Sequence, residues 1–575
     1  MDLLRTPALY ALEAKALARE GPGVLMHRAA SALAFHAARM LRGLPARAAD
    51  HSLAPNSPSD LRMTRASARE PIQPSVQVWA GPGNNGGDAL LAGLILAEQG
   101  HRVIAVDFFP QARRPADAAA VFLAAQTPDA ATGRNARLTW WHADQAITAM
   151  KDDEGAWLIL DGLFGIGLKR PMQAPLTELV EAANARDAKR IQILAVDIPS
   201  GLNADTGMPM SDVAVRADRT LTFLADKPGL HTGQAAHWCG EVLVDLLACN
   251  LPSSASLDID TSDLGKANEG NAHADGNTAP ASQLQGRLFT EQDARPLIPR
   301  RSGDAHKGRF GDLLVIEGAP ATQGAALLAL LGAQAVGAGR LYLGQDRVAQ
   351  ASALHPEFMA RLLKPADPGP ADAVVIGCGL GQDARAQSML KEILTLDIPC
   401  VLDADALNLI ASDIDLHVLI ESDTPRVMTP HPLEAARLLG CSVTLVQADR
   451  ISAALQLARR YRSTVVLKGA GSVVADPQGH WSINSSGGPL LAVAGTGDVL
   501  AGVIGGLLAQ GLAPASAARV GTWLHGAAAD AMSAESSWSA GIGLPASRLA
   551  QAVRERINAL CGEYERNHSH SRGDT

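Results

Sequence analysis

VQVWAGPGNNGGDALLAGLILAEQG, residues 76–100, decides how the chain is to be read. Val76 to Ala80 is an apolar run of strand length, Gly81 to Asp88 a glycine-rich turn, and Ala89 to Gln99 an apolar stretch of helical length closed by Gly100. Strand, glycine turn and helix in that order open a parallel α/β unit, because parallel strands are joined by crossover helices. The same order makes an anion cradle, since free amides and the helix dipole both face the turn. The plain alternative is a tight turn in which Asp88 caps the helix. Asn84 and Asn85 weigh against it, because two adjacent amides add little to a turn that glycine already makes.

Working outward, the alternation continues. Val103–Val106, Leu158–Leu160, Ile193–Val196, Thr220–Phe223 and Val242–Val244 read as further strands, separated by Ala/Leu-rich helical stretches. A second series follows at Leu313–Ile316, Arg340–Leu343, Ala373–Ile376, Cys400–Leu402, Val427–Met428 and Thr464–Leu467. Such near-continuous Val/Ile/Leu runs are what strands buried on both faces require. Two stretches break the pattern with Pro, Ser, Asn and Asp. Arg42 to Ser75 reads as an insertion and Leu251 to Gln285 as an interdomain linker. The expected organisation is therefore a domain over 1–250 carrying an insertion at 42–75, a linker at 251–285, a second α/β domain over 286–566, and a polar tail at 567–575.

Length agrees, because 575 residues exceed what one core can hold. A net charge of −9 leaves no broad cationic field for a nucleic acid, though a small anion can still be held by local amides. Six cysteines without C-x-x-C spacing argue against a zinc site or a disulfide framework, and a reducing, cytoplasmic setting is expected. Residues Met1 to Glu20 read as an amphipathic helix, lacking the apolar core of a signal peptide. The most membrane-like run, Val499 to Leu508, is too short and too glycine-broken to span a bilayer.

The chemistry is expected where strands end. In the first half, Asp161-Gly162-Leu163-Phe164-Gly165-Ile166-Gly167 and Val196-Asp197-Ile198-Pro199-Ser200-Gly201 join the 81–88 turn, so three polar turns would converge on one crevice. In the second half Gly495-Thr496-Gly497-Asp498 precedes a helix of small residues. Its amides can hold a migrating phosphoryl group while Asp498 takes the proton from an attacking hydroxyl. The bland reading is again a helix cap. Lys468-Gly469-Ala470-Gly471-Ser472 offers a cation and small residues to a nucleotide, or is only a surface lysine at a strand end. Asp403 and Asp405 are carboxylates suited to magnesium held through water, and His431 pairs with Glu434 across two prolines. No Walker A lysine pattern is present.

GPGNNGGD at 81–88, DGLFGIGL at 161–168, AVDIPSGLNADTG at 195–207 and LADKPGLHTG at 224–233 resemble the epimerase domain of the bifunctional NAD(P)H-hydrate repair enzymes. The second half resembles the ADP-dependent dehydratase domain of that family. This match is carried by HKGRFG at 306–311, GCGLG at 377–381, DADALN at 403–408, TPHPLE at 429–434, KGAGS at 468–472 and AGTGD at 494–498. The chain departs from the family pattern at Ala89, where glycine is usual, and at Cys378, where proline is frequent. The resemblance implies a Rossmann-like three-layer α/β/α domain followed by a ribokinase-like α/β domain. It implies epimerisation of R- and S-NAD(P)HX and ADP-driven dehydration of the S form, in a homo-oligomer.

Carried over residue by residue, Asn84, Asn85, Gly86, Gly87, Asp88, Gly165, Ile166, Gly167, Leu168, Lys169, Arg170, Pro171 and Asp197 would contact the hydrate in the first domain. Asn85, Asp161 and Ser200 would ligate potassium, a hard cation suited to oxygen ligands. In the second domain Ala325, Gly379, His431 and Asp498 would meet the hydrate. Lys468, Gly469, Ala470, Gly471, Ser472 and Gly497 would hold ADP. Asp197 and Asp498 are the candidate catalytic groups. Two rivals stay open on the sequence: an ATP-dependent kinase of a small alcohol, and a first half that binds without catalysing.

Overall fold

The computed structural model describes residues 1–44, 75–127, 137–151, 158–249, 285–319, 322–345, 355–363, 371–421, 423–535 and 537–569. Most of the expected insertion, linker and tail lies outside them. At the margins, Arg42 belongs to the helix Val24–Gly43, Ser75 opens the strand Ser75–Ala80 and Gln285 opens the strand Gln285–Phe289, so both polar segments are narrower than their composition suggests. The chain forms two compact units. One comprises Leu4–Leu230 and Gln234–His273, the other Met1–Leu3, His231–Gly233 and Ala274–Thr575. We call them the N-terminal and C-terminal units.

The sheet of the N-terminal unit runs, in spatial order, Leu138–Trp141, Arg102–Asp107, Ser75–Ala80, Leu158–Gly162, Gln192–Val196, Arg219–Phe223 and Glu241–Asp245. All its pairings are parallel. Leu158 and Leu160 pack with the helices Val24–Gly43 and Asn84–Glu98, while Ile159 packs with Ala143–Lys151 and Leu176–Asn184 on the opposite face. Alternate side chains thus serve two cores, which is the physical content of a Rossmann-like three-layer domain. Strand order reverses between Ser75–Ala80 and Leu158–Gly162. A crevice forms at such a switch point because the following connections leave in opposite directions.

The C-terminal unit is built on the order Asp2–Leu4, Gln285–Phe289, Trp481–Asn484, Val473–Ala475, Thr464–Leu467, Arg426–Met428, Cys400–Leu402, Ala373–Ile376, Asp312–Ile316, Arg340–Gln345 and Met359–Leu362. Leu313 and Val315 face one helical layer, Leu314 and Ile316 the other, as the α/β class requires. Its switch point lies between Asp312–Ile316 and Ala373–Ile376. Val473–Ala475 runs antiparallel to both Thr464–Leu467 and Trp481–Asn484, a hairpin arrangement the sequence reading did not foresee. The first residues also differ from expectation: Asp2–Leu4 is a strand, and the helix begins only at Thr6 and ends at Glu20.

Candidate active sites

Gly83, with φ −101°, caps the helix Asn84–Glu98, so four residues expected in the loop are helical and Asp88 lies inside the helix rather than at its cap. Gly86 must be glycine, because a Cβ there would lie 2.2 Å from the Gly81 carbonyl oxygen. Ala89 replaces the family's glycine at a place where its methyl meets Gly162. Above this turn is a cavity of about 720 Å³ lined by Asn84, Asn85, Asp88, Gly165, Ile166, Gly167, Leu168, Lys169, Arg170 and Asp197 among others. Gly86 and Gly87 are buried beneath it and Pro171 is exposed beside it, so these three expected contacts do not form its wall.

Cavity residues that were not singled out from the sequence include Tyr10 and Glu13 on the helix Thr6–Glu20, and Lys227. Asp205 anchors the start of that helix, accepting from the Thr6 amide at 2.7 Å. Tyr10 sits above the glycine strip, its hydroxyl 3.7 Å from where a Cβ on Gly167 would stand. Glu13 is spaced from Tyr10 as one helical face requires, a signal present in the sequence but readable only once the helix is known to flank the crevice.

Asp197 follows the buried strand Gln192–Val196 and takes φ +66°, a left-handed conformation that aspartate tolerates better than most residues but that still stores strain. Its Oδ1 accepts from Thr222 Oγ1 at 3.1 Å, the Phe223 amide at 3.2 Å and Lys227 Nζ at 2.7 Å. Asp88 is pushed well above the usual carboxylate range by burial, reinforced by Asp197, Glu13 and Asp117. Burial, helped by Asp197 and opposed by Lys227, also raises Glu13.

Beside the cavity, Asp161 is fully buried and accepts from the Ser200 amide at 2.8 Å and the Ser200 hydroxyl at 2.6 Å. Burial raises its carboxyl to about 6, against the lowering by those bonds and without help from any cation. The buried Asn85 Nδ2 has no hydrogen-bond partner, and a Cβ on Gly165 would stand 3.5 Å from Asn85 Oδ1. A buried carboxylate without countercharge, next to a hydroxyl and an unanchored amide, fits a monovalent hard cation.

In the C-terminal unit the expected residues again meet where strands end. Asp403 follows Cys400–Leu402, His431 follows Arg426–Met428 by three residues, Lys468 follows Thr464–Leu467, and Gly379 belongs to the turn after Ala373–Ile376. Gly495, at φ +90°, caps the helix Thr496–Ala509, which places Asp498 at its third position and excludes the capping role. Lys468 Nζ lies 2.7 Å from Asp403 Oδ1 and 3.5 Å from where a Cβ on Gly497 would stand. The lysine and the glycine turn therefore share one space. The ligand atoms of Cys378, Asp403 and Asp498 lie within 4.8 Å of one another.

Burial and the Asp403 charge raise Asp498 to about 6, with Cys378 and Lys468 pulling the other way. Burial opposes the Lys468 charge, but Asp403 and Glu434 outweigh it and its pKa rises. Ala325 is half-buried on the helix Gln323–Ala335, and Gly379 adopts φ +67° against Thr322. Gly469 and Ala470 are exposed, and Ser472 closes the turn by donating to the Gly469 carbonyl at 3.0 Å.

Two expectations change in detail. Asp405 is no free magnesium carboxylate: its oxygens accept from the Gly381 amide at 2.9 Å and Gln382 Nε2 at 3.0 Å. His431 is the cap of the helix Pro432–Leu439, with Nδ1 accepting from the amides of Leu433 and Glu434, while its ring stays half-exposed. Two supports were missed. Buried Arg450 donates to the carbonyls of Leu467 at 3.0 Å and Lys468 at 3.2 Å, and buried His525 bonds through Nε2 to the Thr496 carbonyl at 2.9 Å. That bond needs the Nε2–H tautomer, and burial lowers the ring to about 4, so it is neutral.

Two α/β units, each with a polar site where parallel strands end, define a two-site enzyme class, and comparison with known proteins places it. Residues 22–229 match the family model described as YjeF-related protein N-terminus, and residues 313–554 the one described as NAD(P)H-hydrate dehydratase. A bifunctional NAD(P)H-hydrate repair enzyme of Coxiella burnetii is 35% identical over 501 residues, covering 85% of this chain and 92% of that one. Its counterpart in Escherichia coli is 36% identical over 465 residues, 80% of each. The chain belongs to the family of bifunctional NAD(P)H-hydrate repair enzymes. An ADP-dependent (S)-NAD(P)H-hydrate dehydratase of Neisseria meningitidis is 43% identical over 266 residues, 45% of this chain and 89% of that one. Among solved structures, an ADP/ATP-dependent NAD(P)H-hydrate dehydratase of Bacillus subtilis, co-crystallised with ATP/Mg2+, is 30% identical, covering 48% of this chain and 99% of that one at a TM-score of 0.42.

Proposed function

We propose that the N-terminal unit interconverts the R and S epimers of hydrated NADH and NADPH, and that the C-terminal unit dehydrates the S epimer with ADP, releasing AMP and phosphate. The observation that carries the reading is the contrast between the sites. Asp498 stands with Lys468 and Asp403 at a glycine helix start, whereas Asp197 and Asp88 face a cavity with no comparable phosphoryl turn. Among the described residues Cys239, Cys249, Cys378, Cys400 and Cys441 form no disulfide, which favours a cytoplasmic setting.

In the epimerising site, the hydroxyl on the hydrated carbon leaves as water after taking a proton, while the ring nitrogen's lone pair fills the gap. Water then adds to the other face and gives a proton back, so atoms and charge are conserved. Asp88, kept protonated by burial and its acidic neighbours, supplies the first proton, and Asp197 receives the second. Running the reaction backwards exchanges their roles. Asn85, Asp161 and Ser200 would hold potassium, which supplies the positive charge that buried Asp161 lacks.

In the dehydrating site, Asp498 takes the proton from the substrate hydroxyl, whose oxygen attacks the β-phosphorus of ADP, and AMP leaves. The C–O bond of the phosphate ester then breaks with its electron pair leaving on phosphate, and the neighbouring ring carbon gives a proton to the departing phosphate as the double bond forms. The amides of the 495–497 turn and Lys468 neutralise the transferring group. Asp403 and Asp498 would hold magnesium, which supplies further charge at the phosphates. Cys378 is a poor ligand for so hard an ion.

Hydrated NADH of mixed epimers, incubated with ADP, should regain reduced-nicotinamide absorbance to completion with stoichiometric AMP. A stable phosphate ester without absorbance recovery would establish the alcohol kinase instead.

A further inference from the structure

Lys227 is among the largest fully buried side chains of the protein, yet it is a cation in the wall of the N-terminal cavity. An ammonium has three donors, and here they are spent on protein. Nζ lies 2.7 Å from Asp197 Oδ1, 2.5 Å from Thr222 Oγ1, and 3.3 and 3.4 Å from the carbonyls of Ala225 and Phe223. Thr222 in turn donates to the same Asp197 oxygen at 3.1 Å, so lysine, hydroxyl and carboxylate form a closed triangle. The Phe223 amide adds a third bond to Oδ1. Among the described residues all three bonds to the carboxylate fall on Oδ1, and Asp197 lines the cavity.

We propose that Lys227 is a positioning residue for epimerisation: with Thr222 it pins Oδ1 of Asp197, so that Oδ2 alone exchanges the proton with the substrate. This rests on Asp197 being the proton-exchanging group. Lys227 itself exchanges no proton with the hydrate, because its donors are occupied.

The test is a double-mutant cycle in the full-length chain, following epimer interconversion, with the thermal midpoint of the N-terminal unit as the folding control. Lys227→Met should lower the epimerisation kcat about a hundredfold with KM changed less than threefold. Thr222→Val, which removes one side of the triangle and keeps the shape, should give an intermediate loss. Combined with Asp197→Asn, Lys227→Met should add less than threefold to the loss already produced, because it acts through the same carboxylate. Losses that multiply, or a threefold or smaller effect of both Lys227→Met and Thr222→Val, overturn the positioning role. If Asp197→Asn itself epimerises normally, the base assignment falls instead. Should Lys227→Met not fold, the Thr222→Val and Asp197→Asn pair decides by the same rule.

Discussion

Asp498 stands in the 495–498 turn and His525, on the helix Pro514–Ser533, bonds to that turn, yet the two do opposite things with a proton. Asp498, raised to about 6, should give dehydration a kcat/KM that falls tenfold per pH unit below about 6 and levels above it. Asp498→Asn should lower that rate by about 10²–10⁴-fold and leave epimerisation intact. His525 is lowered from 6.5 to about 4, so the folded state binds fewer protons than the unfolded one between those values. Its contribution is complete above pH 6.5 and is lost as pH falls toward 4, by about 3 kcal/mol at full protonation. Denaturation midpoints of the C-terminal unit measured against pH should therefore slope less in His525→Leu than in the parent. Asp197 and Asp498 stood out in the sequence as candidates, Asp197 at a strand's end and Asp498 in a glycine turn before a helix. Lys227, Glu13, Arg450 and His525 did not, because their roles come from what lies opposite them in space.

The helices Gln323–Ala335 and Thr496–Ala509 approach through glycine. A Cβ on Gly502 would lie 1.8 Å from the Ala329 carbonyl oxygen, and one on Gly332 would lie 2.3 Å from that of Val499. Gly502→Val should lower the thermal midpoint of the C-terminal unit, by about 1–3 kcal/mol or more of stability, and should cut dehydration further by displacing the 495–498 turn. Epimerisation measured on the same chain should not change. At this scale the strands buried on both faces were readable as unbroken Val/Ile/Leu runs. Val473–Ala475 was missed because it is only three residues long, and Leu138–Trp141 and Trp481–Asn484 because they are short and carry polar and aromatic residues. The helix after the 81–83 turn was placed too late because Asn and Gly are poor helix formers, and here the packing of Gly86 on Gly81 overrides propensity.

Across the whole molecule, the two sites draw on different units and share no residue, so inactivating one should reveal the other. With Asp197→Asn, a mixture of epimers supplied with ADP should regain absorbance quickly for the S fraction and then only at the spontaneous epimerisation rate. The parent chain should run to completion. A single uninterrupted progress curve from the variant would show that Asp197 is not needed. That both units are α/β was legible because alternation of strand and helix persists through the chain. The Lys468–Ser472 run upstream of the 495–498 turn already separated the phosphoryl-transferring site from the isomerising crevice in the sequence, and Lys468 Nζ lies 3.5 Å from where a Cβ on Gly497 would stand.

The segment 468–472 joins Leu467 to Val473, which face each other in an antiparallel ladder. One residue more or fewer would turn Val473, Val474 and Ala475 inside out, exchanging the side chains that feed the two layers. Its length is therefore frozen, and so are two of its letters: Gly469 lies at φ +146° and Gly471 at φ +57°, where a Cβ would stand 1.8 Å from the His231 carbonyl oxygen. A library randomising residue 470 should yield folded chains, whereas side chains at 471 and single-residue insertions or deletions in the segment should be purged, a pattern opposite to that of an ordinary surface loop.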